Sequence, residues 1–231
     1  ETVLDSGAVS DLALSMNGDT PVLYAGVASK GVYRSTDGGN TWASLAAQMP
    51  FGVYRRISLD VSPTDWRRVA MVSIDSEKTS GGTYADDMEG VAFTNDGGAT
   101  WTDITPTSNI FLISSNTPPQ GWYDVYLRMD PSNADHLLLG GISVWETKNN
   151  GASWANVGRA YNGGIHPDQH YAAFAPSDPS VVFIGCDGGV YTSTNGGSTY
   201  SSAPCPLGIT QYYSLGIDQT NDVTFGGAQD N

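Results

Sequence analysis

An eight-residue pattern recurs four times along the chain and restricts the fold more than any other feature. The copies are Ser35-Thr-Asp-Gly-Gly-Asn-Thr-Trp42, Thr94-Asn-Asp-Gly-Gly-Ala-Thr-Trp101, Thr147-Lys-Asn-Asn-Gly-Ala-Ser-Trp154 and Ser193-Thr-Asn-Gly-Gly-Ser-Thr-Tyr200. Their closing aromatics lie 59, 53 and 46 residues apart, the length of a unit of four short strands with variable loops. In the third copy Asn149 and Asn150 replace the Asp and the first Gly. Each copy reads as a hairpin turn: Asp or Asn followed by Gly supplies positive φ angles and short side-chain-to-backbone bonds. The flanking hydroxyls bond back across the turn, and the last aromatic covers it. Asp37, Trp42, Asp96, Trp101, Asn149, Trp154, Asn195 and Tyr200 are therefore expected to be structural.

Upstream of each motif runs a strand, a polar turn often containing Pro, an apolar strand, Gly, and a short strand. Examples are Leu59-Asp-Val-Ser-Pro63 leading to Val69-Ala-Met-Val72, and Phe174-Ala-Pro176 leading to Val181-Val-Phe-Ile184. The pattern predicts an all-β chain, one β-propeller segment over residues 1–231. Its blades are expected at roughly 7–46, 52–105, 121–158 and 166–203, with a partial fifth at 207–231. An incomplete ring leaves an open edge, so further chain or other subunits are expected to complete the propeller.

Gly at 28 residues and Tyr with Trp at 12 and 6 suit short strands and tight turns. Lys and Arg number 10 against 24 Asp and Glu, a formal charge of −14. That charge argues against nucleic acid as a partner. No apolar run approaches the ~20 residues of a membrane helix, so no membrane insertion is expected. Glu1 opens without a charged leader or an apolar signal core, so any signal peptide would have been removed. Cys186 and Cys205 are too few for a disulfide framework but are expected to form one bridge in an oxidising compartment.

The four motifs resemble the Asp-boxes (BNR repeats) of sialidases, xyloglucan-hydrolysing propellers, sortilin-type receptors and bacterial BNR-repeat proteins. A longer stretch is more specific: His166-Pro-Asp-Gln-His170, Gly185-Cys-Asp-Gly-Gly-Val-Tyr191, Ile209-Thr-Gln-Tyr-Tyr213 and Gly226-Gly-Ala-Gln-Asp-Asn231. It is similar to secreted bacterial propellers described as glycosyl-hydrolase-like or sortilin-like. The resemblance implies an extracellular or cell-surface protein. A sialidase is not implied, because Arg55-Arg-Ile-Ser58 lacks the expected proline.

If the motif turns lie on one face, entries and B-to-C loops gather on the other, where function is expected. That face would carry Asp187 and, as ligand-binding candidates, His166, Asp168, His170, Tyr212, Tyr213 and Asp230. Strand alternation would put His166, Asp168 and His170 on one side, with His166 and Asp168 as metal-ligand candidates. Neighbours two apart are ~6.6 Å away in a strand and those four apart ~13 Å, so three would meet one ion only if Pro167 bends the chain. No cofactor is required.

The loop from Asp75 to Gly90 is acidic, and Asp86, Asp87 or Glu89 facing Asp168 or Asp187 at roughly 5 to 9 Å would suit glycoside hydrolysis. A solvated acidic loop is the plainer reading. Trp122, Tyr123 and Tyr161 could stack on sugars, but the expectation is packing between blades. The leading functional expectation is a glycan- or protein-binding or structural module. A glycoside hydrolase using paired carboxylates is the alternative.

Overall fold

A computed structural model describes residues 7–52, 55–75, 88–108, 110 and 120–202, and the backbone of 212–218 and 223–228. The chain is a β-propeller arc of four antiparallel four-stranded sheets, each a meander in sequence order. Blade 1 holds β1 (Val9–Asn17), β2 (Thr20–Val27), β3 (Gly31–Ser35) and β4 (Ala43–Ser44). Blade 2 holds β5 (Arg56–Val61), β6 (Val69–Ile74), β7 (Met88–Thr94) and β8 (Thr102–Asp103). In blade 3 follow β9 (Tyr126–Asp130), β10 (Asn133–Gly140), β11 (Val144–Thr147) and β12 (Ala155–Asn156). Blade 4 comprises β13 (Gln169–Ala175), β14 (Asp178–Cys186), β15 (Gly189–Ser193) and β16 (Ser201–Ser202). A further pair, β17 (Tyr212–Asp218) and β18 (Val223–Ala228), forms a two-stranded sheet, and the ring is open.

Each motif joins the third strand of a blade to the fourth. In blade 1, Ser35 Oγ donates to Asp37 Oδ1 at 2.7 Å and accepts from Gly39 N at 2.8 Å. Thr41 donates to Asp37 twice, from N to Oδ1 at 2.9 Å and from Oγ1 to Oδ2 at 2.5 Å. Blade 2 repeats the network with Thr94, Asp96, Gly98 and Thr100. The Asn copies keep the geometry and reverse one donor: Asn149 Nδ2 donates to Ser153 Oγ at 2.9 Å, and Asn195 Nδ2 to Thr199 Oγ1 at 2.8 Å. Gly38 and Gly39 have φ of 72° and 93°, conformations a side chain would strain.

The inner strands of blades 2 and 3 are apolar on both faces because each of these blades lies between two others. All six residues of β6 are buried. Counting from the first motif residue through the strand register, Leu12, Leu59, Leu127 and Ala172 are equivalent, as are Leu14, Val61, Met129 and Phe174. Leu59 and Val61 pack on Val22, Tyr24 and Val32 of blade 1, and Leu127 and Met129 on Ala70, Val72 and Phe93 of blade 2. Ala172 packs on Leu138 and Val144 of blade 3. Leu12 and Leu14 instead stand 57% and 56% exposed.

Turns also lock neighbouring blades together. Trp154 Nε1 of blade 3 donates to Ile104 O of blade 2 at 2.8 Å. Arg34 Nη1 of blade 1 donates to Gly97 O in the blade 2 motif at 2.6 Å. Trp101, Trp154 and Tyr200 pack against the inter-blade cores. Trp42 differs, donating Nε1–H to Gly39 O of its own turn at 3.0 Å.

Candidate functional site

Strand register sends the acidic residues to the end of blade 4 opposite its motif. Gln169 pairs with Cys186 and Cys186 with Gly189, whereas the motif's Ser193 pairs with Val182. Asp168 and Asp187 thus flank the same end of the sheet, joined by Asp187 N donating to Asp168 O at 3.3 Å. Asp168 N and Gln169 N donate to Ile142 O and Gly141 O of the β10–β11 connection, tying this end to blade 3.

The extended run expected through His166, Asp168 and His170 does not form. Strand β13 begins at Gln169, and Asp168 is left-handed with φ 65°. The chain therefore turns before the strand, and alternation does not apply to it. His166 is exposed, its Nδ1 3.0 Å from Pro167 O. A Cβ on Gly188 would come within 2.2 Å of His166 Cβ, so only glycine fits beneath that ring. Among the described residues no group of three or more His, Cys, Asp or Glu has metal-holding spacing.

His170 does meet carboxylates. Its Nε2 lies 2.5 Å from Asp187 Oδ1, and its Nδ1 lies 3.6 Å from Oδ1 of Asp124. Asp124 was not among the sequence candidates and is strongly altered by its surroundings. Its backbone N donates to Gln120 O in the turn before β9, and its side chain is 0% exposed. Neither carboxylate oxygen has a hydrogen-bond partner. Burial, followed by the charges of Asp168 and Asp187, pushes Asp124 up to about 8 against the pull of Arg56. Asp168 is raised by burial and by Asp187. Two ionised carboxylates cannot bond each other, but a proton on Asp124 donates toward Asp168, raising the first and lowering the second.

Arg56 of β5 donates Nη1–H to Trp122 O at 2.5 Å and Tyr123 O at 3.0 Å, fixing the turn that carries Asp124. The aromatics of that turn correct the packing expectation. Trp122 is 55% exposed and Tyr161 62%, and Tyr123 is also exposed. Trp122 and Tyr123 have ring centroids 5.4 Å apart, and Tyr123 meets His170 edge-on at 5.0 Å. These rings sit on loops at the rim, beyond the inter-blade cores.

Other candidates lie elsewhere. Glu89, at the start of β7, is raised by burial and by Asp75, its neighbour in blade 2. Asp86, Asp87 and Asp230 lie outside the described residues, and so do the side chains of Tyr212 and Tyr213 in β17. Cys186 is buried, with Sγ donating to Gly189 O at 3.5 Å. Cys205, its expected disulfide partner, lies outside the described residues. A cavity of about 440 Å³ between the innermost strands is separate from the Asp124 cluster. Its acid Asp60 accepts from Met129 N at 2.9 Å, and its Arg128 lies 4.4 Å from the Tyr171 ring centre.

No protein-family model matches the chain, and no curated protein matches its sequence. Solved structures do. An ancestral GH74 enzyme aligns with TM-score 0.59 and 19% identity over 87% of this chain and 24% of its own. The GH74 enzyme of Niastella koreensis aligns with TM-score 0.62 and 20% identity over 96% of this chain and 33% of its own. The extracellular domain of a one-component system from B. thetaiotaomicron gives TM-score 0.53 and 11% identity, over 94% and 26%. At these identities the shared property is the propeller fold. The chain spans a quarter to a third of the length of these proteins. No helix among the described residues is long and apolar enough to cross a membrane.

Proposed function

We propose that the chain is a glycan-binding propeller module of an extracellular protein, with its ligand on the face opposite the motif turns. The observation that carries this reading is the exposed Trp122–Tyr123 pair beside His170 and Asp187. Sugar rings present C–H faces that stack on aromatic rings, and hydroxyls that donate to carboxylates and imidazoles. The fold shared with GH74 enzymes and with an extracellular sensor domain supports a carbohydrate-facing role outside the cell. An oxidising setting goes with a Cys186–Cys205 bridge, which would appear as a two-proton mass increase on reduction.

Hydrolysis is the second reading, favoured by an Asp124 carboxyl held protonated near neutral pH beside two other carboxylates. A general acid has to reach the glycosidic oxygen, and Asp124 is wholly covered. Binding therefore takes precedence. Isothermal titration with neutral and charged oligosaccharides tests it, using Trp122→Ala as the variant. The expected result is a loss of affinity of ~10-fold or more, ~1.4 kcal/mol, with the melting temperature retained. Unchanged affinity would remove the aromatic platform from the reading. Release of reducing ends that Asp124→Asn abolishes would establish the hydrolase instead.

A further inference from the structure

The polar atoms left unpaired at this end of the blades are acceptors, and that bias defines a ligand. Asp124 Oδ1 and Oδ2, Asp168 Oδ1, Gln169 Oε1 and Gln120 Oε1 are all buried without a hydrogen-bond partner. Asp124 and Gln169 are both 0% exposed. Buried acceptors are ordinarily satisfied, so a run of orphans marks a place short of donors and of positive charge. The nearest guanidinium, Arg56, is already engaged by the carbonyls of Trp122 and Tyr123. Besides Arg56, the cations that act on these carboxylates among the described residues are the His166 and His170 rings.

Resting on the glycan reading above, we propose that the site takes the protonated amine of an amino sugar. Asp187 and Asp168 meet the ammonium at the rim, while Trp122 and Tyr123 stack on the ring that carries it. Asp124 acts behind them without touching the ligand. Crowded against Asp168 and Asp187, it holds a proton when the site is empty; an ammonium beside those two carboxylates replaces that proton as the compensating charge. Binding of the amine therefore releases a proton from the protein. Uronic and sialic acids are disfavoured, because each brings a carboxylate to a cluster that already has three.

The experiment is titration calorimetry of the whole chain at pH 6.5 with three oligosaccharides of equal length: a glucosamine oligomer, its N-acetylated counterpart and an oligogalacturonate. The amine is expected to bind ~10-fold or more tighter than the acetylated sugar, the size of one charge-assisted contact. Added salt should erode that preference. Repeating the titration in buffers of different ionisation enthalpy should show proton release for the amine only. Asp187→Asn should abolish the preference, so that the variant binds the amine and the acetylated sugar with equal affinity. Equal binding of amine and acetylated sugar, or tighter binding of the uronate, overturns the amine assignment while glycan binding stands. Binding of none of the three overturns both.

Discussion

The two ends of blade 4 are built from similar residues and come out opposite. At the motif end, Ser193 Oγ donates to Asn195 Oδ1 and accepts from Gly197 N, while Asn195 exchanges bonds with Thr199. At the other end Asp168 and Gln169 keep unpaired oxygens, and neither carboxylate oxygen of Asp124 has a hydrogen-bond partner. Ser193, Asn195 and Thr199 all find side-chain partners inside the motif, so the turn closes on itself as the chain folds, although the Tyr200 hydroxyl beside it is buried without a hydrogen-bond partner. The opposite cluster draws on blades 3 and 4, and its carboxylates find one another instead of donors. A closed network builds structure; an open one retains capacity for a ligand.

The largest effect that would sharpen this contrast comes from the motif end. Trp154→Ala removes a ring packed on the core between blades 2 and 3 and its bond to Ile104. It should cost about 3 kcal/mol in denaturant unfolding, within the range for large aromatics. A value near zero would mean the motif aromatics do not join the blades.

Next in size is a difference in pH dependence between the two ends. Asp124 is raised to about 8 in the folded protein, against ~3.9 unfolded. Its contribution is therefore fully present below pH ~4 and is lost as pH rises through about 8. Asp124→Asn should remove that loss and raise stability by about 2 kcal/mol at pH 9, with little change at pH 4. Asp37 and Asp96 are lowered to about 2, first by the Thr41 and Thr100 hydroxyls. Their contribution is present above the unfolded pKa of ~4 and is lost as pH falls through about 2. Melting temperatures from pH 2 to 9 check both signs, and a D124N profile parallel to wild type would break the comparison.

Smaller still, Asp96→Ala should cost about 1 kcal/mol, as loss of a helix cap does, because Thr94 and Thr100 lose a shared acceptor. Trp42→Ala should cost less than about 1 kcal/mol, since its ring bonds only its own turn. Urea midpoints for the Trp42 and Trp154 variants measured side by side would show whether position in the arc, rather than motif chemistry, sets the value.

The repeats were legible because their information is local. Ser35 to Trp42 contains every partner that the side chains of its turn need, and the apolar runs of β6 and β10 record burial on both faces. The site was legible in outline: Asp168, Asp187 and His170 do share one end of a blade. Asp124 was missed because its environment is assembled from blades 3 and 4 together; in sequence it is one acid after Trp-Tyr. The signal that could have found it is an Asp immediately preceding the fully apolar Val125-Tyr-Leu127 entry to a strand, where a charge has no reason to be buried. Trp122 and Tyr161 were misjudged for the converse reason, since composition does not distinguish an aromatic of the core from one on a rim loop.

The uncovered Leu12 and Leu14 give the arc a direction. Three times among the described residues the equivalent of that surface is received by the forward surface of the preceding blade, where Tyr24, Ala70 or Leu138 waits. Every joint is thus asymmetric, with a rear surface that enters and a forward surface that accepts, and the two are not interchangeable. The arc has a polarity, as a strand or a helix has, and it lengthens at β1 only by addition of a forward surface.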